Sequence, residues 1–235
     1  MLFAGTELFT MRTNGPCATF TIGAKSQASL NGASAEGQLQ FEGDLARVTL
    51  TLVGMPGSGK STVGRQLARR LGVGFNDSDA LIERRIGCSI REFFDREGEE
   101  RFRDIEQEVI AELVASSKGV LATGGGVVLR QANREVLHRG TSVVYLRSSP
   151  EELFRRLRHD TNRPLLQVSD PMARLRSLFQ VRDPLYRSIA HYVIETGRPS
   201  VPNLINMLLM QLELAGLIPM DTVPSPVDGA EPPAH

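Results

Sequence analysis

Gly54-Met55-Pro56-Gly57-Ser58-Gly59-Lys60-Ser61 fits the spacing G-x-x-x-x-G-K-[ST], which suits the handling of phosphate. Glycines let successive backbone N–H groups turn inward around phosphate oxygens, and the start of a following helix adds partial positive charge. On this reading Gly57, Ser58, Gly59 and Thr62 cradle the phosphates and Lys60 reaches the outer ones. Ser61 offers its hydroxyl to Mg²⁺, a hard cation that takes oxygen ligands and keeps several waters.

Such a loop works only between a strand and a helix, and both flanks comply. Val48 to Val53 is an apolar run that reads as a buried strand, and Val63, Leu67 and Leu71 recur at the four-residue spacing of one helix face. Beyond them, strand-like and helix-like segments alternate. A short strand over residues 72–75 leads to Asn76-Asp77-Ser78-Asp79 and a helix from near Ala80. Helical pieces follow over 89–96 and, after Gly98, to about Ser117. Residues 119–122 form a strand that runs into Thr123-Gly124-Gly125-Gly126, then come a helix over 131–139 and a strand over 142–146. Ser149-Pro150 opens another helix, since serine caps and proline fits the first turn. A polar stretch around Arg163-Pro164 precedes a helix over 171–182, a last strand over 192–194 and a closing helix over 202–216. Alternation of this kind predicts an α/β fold, a three-layer α/β/α arrangement with a central parallel sheet covered on both faces.

The chain has 235 residues, 41% of them hydrophobic and 23% charged, enough apolar material for one sizeable core. Lys plus Arg equals Asp plus Glu at 27 each, so no global field favours nucleic acid or an anionic membrane, and anion binding must be local. Cys17 and Cys88 lie far apart and without metal-ligand spacing, which argues against a disulfide framework or a zinc site. No basic start followed by an apolar core marks a secretory signal, and Leu204 to Met220 is interrupted by Asn206, Gln211 and Glu213. A cytoplasmic protein is expected. Residues 1–46, rich in Gly, Ala, Ser and Thr without period, read as a poorly ordered extension, and 218–235 as a disordered proline-rich tail.

From about Arg47 to Gly216 the chain resembles the shikimate kinases. The resemblance is carried in order by the phosphate loop, Asp77-Ser78-Asp79, Phe102-Arg103 with Glu106, Gly124-Gly125-Gly126, Arg163-Pro164-Leu165-Leu166 and Arg182-Asp183-Pro184-Leu185-Tyr186. It implies a P-loop kinase of the nucleoside-monophosphate-kinase-like fold over 47–217, with a mobile lid over about 157–170 and a helical substrate-binding region. Its substrates would be shikimate and ATP, with one Mg²⁺ per subunit, acting as a monomer with no nucleic-acid or membrane partner. The resemblance gives Asp79 the shikimate hydroxyls, where a carboxylate can accept a proton or orient the attack. Asp77 would hold the water shell of Mg²⁺. Each aspartate also has a plainer use, as the cap of the next helix.

Arg103 and Arg182 resemble the arginines that grip the substrate carboxylate, a task suited to the planar guanidinium fork. For Arg103 the alternative is a solvated ion pair with Glu99 or Glu106. Gly125 and Gly126 would let the backbone approach the substrate. Phe94 and Phe102 either wall the sugar-like ring or belong to the core. Arg163 resembles the lid arginine that closes over ATP, Arg156 one that lies against adenine, and Arg198 falls in a loop near it. The implied catalytic group is therefore Asp79, Lys60 and Arg163. A gluconate-type kinase on the same fold and a kinase-like ligand sensor are the alternatives.

Overall fold

The computed structural model describes residues 49–158, 170–197 and 200–218. In chain order the elements are β1 (Thr49–Val53), α1 (Lys60–Leu71), β2 (Phe75–Asp77), α2 (Ser78–Ile86), α3 (Ile90–Ser116), β3 (Gly119–Ala122), α4 (Gln131–Gly140), β4 (Ser142–Arg147), α5 (Pro150–Leu157), α6 (Pro171–Ile189), β5 (Tyr192–Glu195) and α7 (Val201–Leu214). The five strands form one sheet in the order β2-β3-β1-β4-β5. Every pairing is parallel.

Side-chain alternation along the strands builds the three layers. Leu50 and Leu52 of β1 and Val144 and Leu146 of β4 point to the face covered by α1 and α7, against Val63, Leu67, Leu204 and Leu208. Val53, Val143 and Tyr145 point to the opposite face, against Leu137 of α4, Leu153 of α5 and Leu175 of α6. Leu121 of β3 joins Ile82, Phe93, Phe102 and Val109 in a third cluster under α2 and α3.

Several boundaries differ from the sequence expectation. Gly72, at φ 66°, caps α1 by donating to the Ala68 and Arg69 carbonyls, so extended chain begins only at Phe75 and β2 ends on Asp77. Asp77 then caps α2, which starts at Ser78 and not at Ala80. The two helical pieces before Ser117 are joined into α3 across Gly98, whose φ of 81° and ψ of 171° break the ladder at that residue. Helix α6 runs through Pro184 to Ile189, because Tyr186 and Ile189 continue its buried face. Among the described residues no helix is long and apolar enough to cross a membrane. Residues 1–46, most of the 157–170 stretch and the tail from 219 lie outside the described residues.

Candidate active site

The chain leaves β1 toward β2 and β3 on one side and reaches β4 on the other. In an open parallel sheet the crevice beyond the strand ends at such a reversal is where ligands bind. Here it is bounded by the loop after β1 and the glycines after β3.

The first loop has the phosphate-binding form. Gly57 and Gly59 have φ of 82° and 95°, and a Cβ on Gly57 would come within 2.7 Å of the Leu157 side chain. Gly59 stands at the N-cap of α1, where no side chain caps the helix and no acidic residue occupies the first turn. Helix α1 thus begins at Lys60, earlier than its apolar stripe suggests. Lys60 Nζ donates to the carbonyls of Gly54 at 2.8 Å and Met55 at 3.0 Å. The Ser58 hydroxyl is buried and has no hydrogen-bond partner among the described residues. Ser61 Oγ donates to Asp77 Oδ2 at 2.7 Å, bringing a hydroxyl and a carboxylate together at the loop. Thr62 is exposed on the first turn of α1.

Asp77 serves its plainer use as well, accepting from the Asp79 N–H at 3.1 Å and so starting α2. That turn carries Asp79 inward. Burial pushes the Asp79 carboxyl up to about 6, with the negative charges of Asp77, Glu106 and Glu83 adding to the shift and Lys60 opposing it. The Ser78 hydroxyl accepts from the Gly124 N–H at 3.0 Å and ties the start of α2 to the glycine loop.

A cavity of about 550 Å³ opens beside this aspartate, and its wall includes Pro56 of the phosphate loop, Phe94, Arg103, Glu106 and Arg182. Arg103 Nη1 donates to Glu106 Oε2 at 2.7 Å, and its Nη2 donates to Glu99 at 2.8 Å. Its side chain is only 9% exposed and that of Glu106 1%, so this pair is buried, whereas Glu99, at 57%, reaches the guanidinium from solvent. Burial raises the Glu106 carboxyl from its usual range, against the attraction of Arg103. From α6, Arg182 Nη1 and Tyr186 Oη both donate to the Gly125 carbonyl, at 2.9 and 2.5 Å. Phe102 is buried in the core yet also lines the cavity together with the partly buried Phe94, the two ring centroids lying 4.6 Å apart.

The glycine triplet has a local reason that sequence did not reveal. A Cβ on Gly124 would stand 2.5 Å from Asp79 Oδ1, one on Gly125 2.6 Å from Pro56 Cδ, and one on Gly126 would overlap the Arg103 guanidinium. Each glycine yields its side-chain space to a different wall of the site.

Arg156 lies at the far edge of the crevice, where its guanidinium donates to the Thr196 carbonyl beyond β5. Arg163 and Arg198 lie outside the described residues. Glu106 and Tyr186 were not singled out as site residues by sequence. The signal for Glu106 was its place one turn after Arg103, and Tyr186 lies beyond the expected end of its helix, one turn after Arg182.

A phosphate loop at the switch point of a parallel sheet, facing a cavity lined by three arginines and a perturbed aspartate, defines a P-loop phosphotransferase acting on a small anionic acceptor. The shikimate kinase family model matches residues 56–213. The shikimate kinase of Paracidovorax citrulli is 58% identical over 183 residues, covering 77% of this chain and 98% of that protein. That of Burkholderia thailandensis is 56% identical over 171 residues, covering 73% and 93%. Among solved structures, shikimate kinase from Acinetobacter baumannii in complex with shikimate superposes with a TM-score of 0.67 at 46% identity, covering 72% of this chain and 94% of that one. A gluconokinase from Sinorhizobium meliloti, with a TM-score of 0.50 at 20% identity, shares the fold alone. The chain belongs to the shikimate kinase family.

Proposed function

We propose that the chain catalyses the reaction of its family, ATP-dependent phosphorylation of the 3-hydroxyl of shikimate to shikimate 3-phosphate and ADP, on the route to chorismate and the aromatic amino acids. The observation that carries this reading is the convergence of Asp79, Arg103 and Arg182 on one cavity whose wall is continued by Pro56 of the phosphate loop. Arg103 and Arg182 bind the shikimate carboxylate, and Gly125 and Gly126 form the floor between them. Phe94 supports the ring from the side. Asp79 orients the attacking hydroxyl and accepts its proton, for which a carboxyl near 6 is ionised at neutral pH yet still basic.

The backbone N–H groups of Gly57 to Thr62, with Lys60, hold the ATP phosphates and stabilise the charge that moves to the leaving group. Arg163 closes over ATP, while Arg156 and Arg198 lie on the adenine side. The hydroxyl of Ser61 beside the carboxylate of Asp77 suits a hard cation. Ser61 would hold Mg²⁺ directly and Asp77 would hold it through water, and the ion would neutralise phosphate charge. Among the described residues no group of three or more His, Cys, Asp or Glu is set to hold a metal, so water and the nucleotide would complete its shell. We take the working unit to be a cytoplasmic monomer.

Coupled ADP release tests the reaction. It should require Mg²⁺ and shikimate, and turnover with gluconate or a nucleoside monophosphate but none with shikimate would overturn the assignment.

A further inference from the structure

Pro184 lies inside α6, two residues after Arg182 and two before Tyr186. It has no N–H to give to the carbonyl one turn back, so the helical ladder is interrupted where α6 delivers both side chains to the Gly125 carbonyl. A helix weakened at that point needs outside anchors to keep Arg182 in place. Asp183 has them.

Asp183 Oδ1 accepts from Tyr145 Oη at 2.8 Å and from Arg147 Nε at 3.0 Å, both from β4, and Oδ2 accepts from Arg187 Nε at 2.8 Å. The Arg147 guanidinium also lies 5.2 Å from the centre of the Phe179 ring, so it meets α6 a turn earlier, and it donates to Glu195 of β5 at 2.8 Å. The Tyr145 ring stacks on Tyr186 at 4.9 Å. Asp183 is 14% exposed and is absent from the cavity wall. Burial works against its charge, yet the bonds from Arg187, Tyr145 and Arg147 outweigh it and hold the carboxyl below its ordinary range. Three donors are therefore gathered on a carboxylate that touches no part of the cavity, in the residue next to the one that does.

We propose that Asp183 is a positioning residue for substrate binding, fixing the proline-interrupted turn of α6 to β4 so that Arg182 is held at the rim of the cavity. This rests on the proposed role of Arg182 toward the shikimate carboxylate. Asp183 acts on binding through Arg182, and Tyr145 and Arg147 act through Asp183.

The test is a double-mutant cycle with Asp183→Asn, Arg182→Ala and the double variant, with shikimate and ATP affinities measured separately by calorimetry. Asp183→Asn should weaken shikimate roughly tenfold, as for one lost hydrogen bond to a charged group. ATP affinity should stay within about twofold. The double variant should bind shikimate no more weakly than Arg182→Ala alone, because without Arg182 there is nothing left to position. Tyr145→Phe, which removes one bond to Asp183 and no charge, should weaken shikimate in the same direction by a smaller factor and serves if Asp183→Asn does not fold. Multiplying effects of the two substitutions, or normal shikimate binding by Asp183→Asn or by Tyr145→Phe where it must stand in, would overturn the role of Asp183 while leaving that of Arg182. Normal binding by Arg182→Ala would instead remove the proposed role of Arg182, and this inference with it.

Discussion

Replacing Asp79 by Asn should make the protein more stable and less active. The carboxyl rises from an ordinary value of 3.8 to about 6 because it is buried beside Asp77 and Glu106. A shift of about two units at roughly 1.4 kcal/mol each gives a penalty of about 3 kcal/mol on the ionised, folded form, an upper figure since local relaxation lowers it. The sign follows from linkage: the folded state holds the proton more tightly than the unfolded chain, so stability is greatest below about 3.8 and falls as pH rises through about 6. Asparagine keeps the shape and does not titrate. The variant should therefore melt higher than the wild type at pH 7.5, by up to roughly 6–12 °C at two to four degrees per kcal/mol, and the gap should close toward pH 4.

Two assays on the same pair of proteins check both halves. Thermal melts from pH 4 to 8 read the stability difference, and ADP release at saturating shikimate reads kcat, which should fall by about 10² to 10⁴ if Asp79 accepts the hydroxyl proton. Wild-type kcat/KM should also fall on the acid side near pH 6, where the carboxyl takes up its proton, and the variant should lack that limb. An equal melting temperature at every pH would refute the electrostatic reasoning, and unchanged kcat would reduce Asp79 to a binding group.

Gly126→Ala should weaken shikimate about tenfold or more and spare ATP, since its methyl group would displace the Arg103 guanidinium; equal affinity by calorimetry would mean that the loop yields. Arg103→Ala should cost about 3–5 kcal/mol of stability by stranding the buried Glu106 carboxylate, and denaturant unfolding should show Arg103→Ala/Glu106→Gln recovering much of it. His191 accepts the Val143 N–H on Nδ1 at 3.0 Å and stacks on His138, and burial together with His138 holds its pKa below 6.5. Its contribution to stability is present above 6.5 and lost as pH falls through the lower folded value, so wild type should lose more stability between pH 6.5 and 5 than His191→Asn does.

What was legible in the sequence was what local spacing dictates. The phosphate loop between its strand and helix and the alternation of elements are fixed by neighbours a few residues away and appear as read, while β2 and α2 around Asp77-Ser78-Asp79 keep their order with shifted ends. Burial of the Arg103–Glu106 pair was not legible, because one-turn spacing on a helix is the same for a solvated pair and a buried one. Only the packing of α3 over β3 separates them. Helix α6 was read as ending at about Arg182, and it runs on through Pro184 because Tyr186 and Ile189 continue its buried face. Gly125 and Gly126 were read as letting the backbone approach the substrate, and what spacing could not show is that a Cβ at Gly124, Gly125 or Gly126 would meet Asp79, Pro56 or Arg103.

That packing bears on how such a site selects its acceptor. The cavity wall carries Arg91, Arg103 and Arg182 against Asp79, Asp95, Glu99 and Glu106, three positive groups facing four negative ones. A field of that balance gives an anion no general attraction, so affinity for a carboxylate must come from donors held in a fixed direction. Arg103 is held by Glu99 and Glu106, and Arg182 rests on the Gly125 carbonyl. Both grips meet at the glycine loop that also admits the Asp79 carboxylate. On the roles proposed above, a shift of that loop would move the two arginines and Asp79 together, and so would couple binding of the acid end of the substrate to alignment of its reacting end.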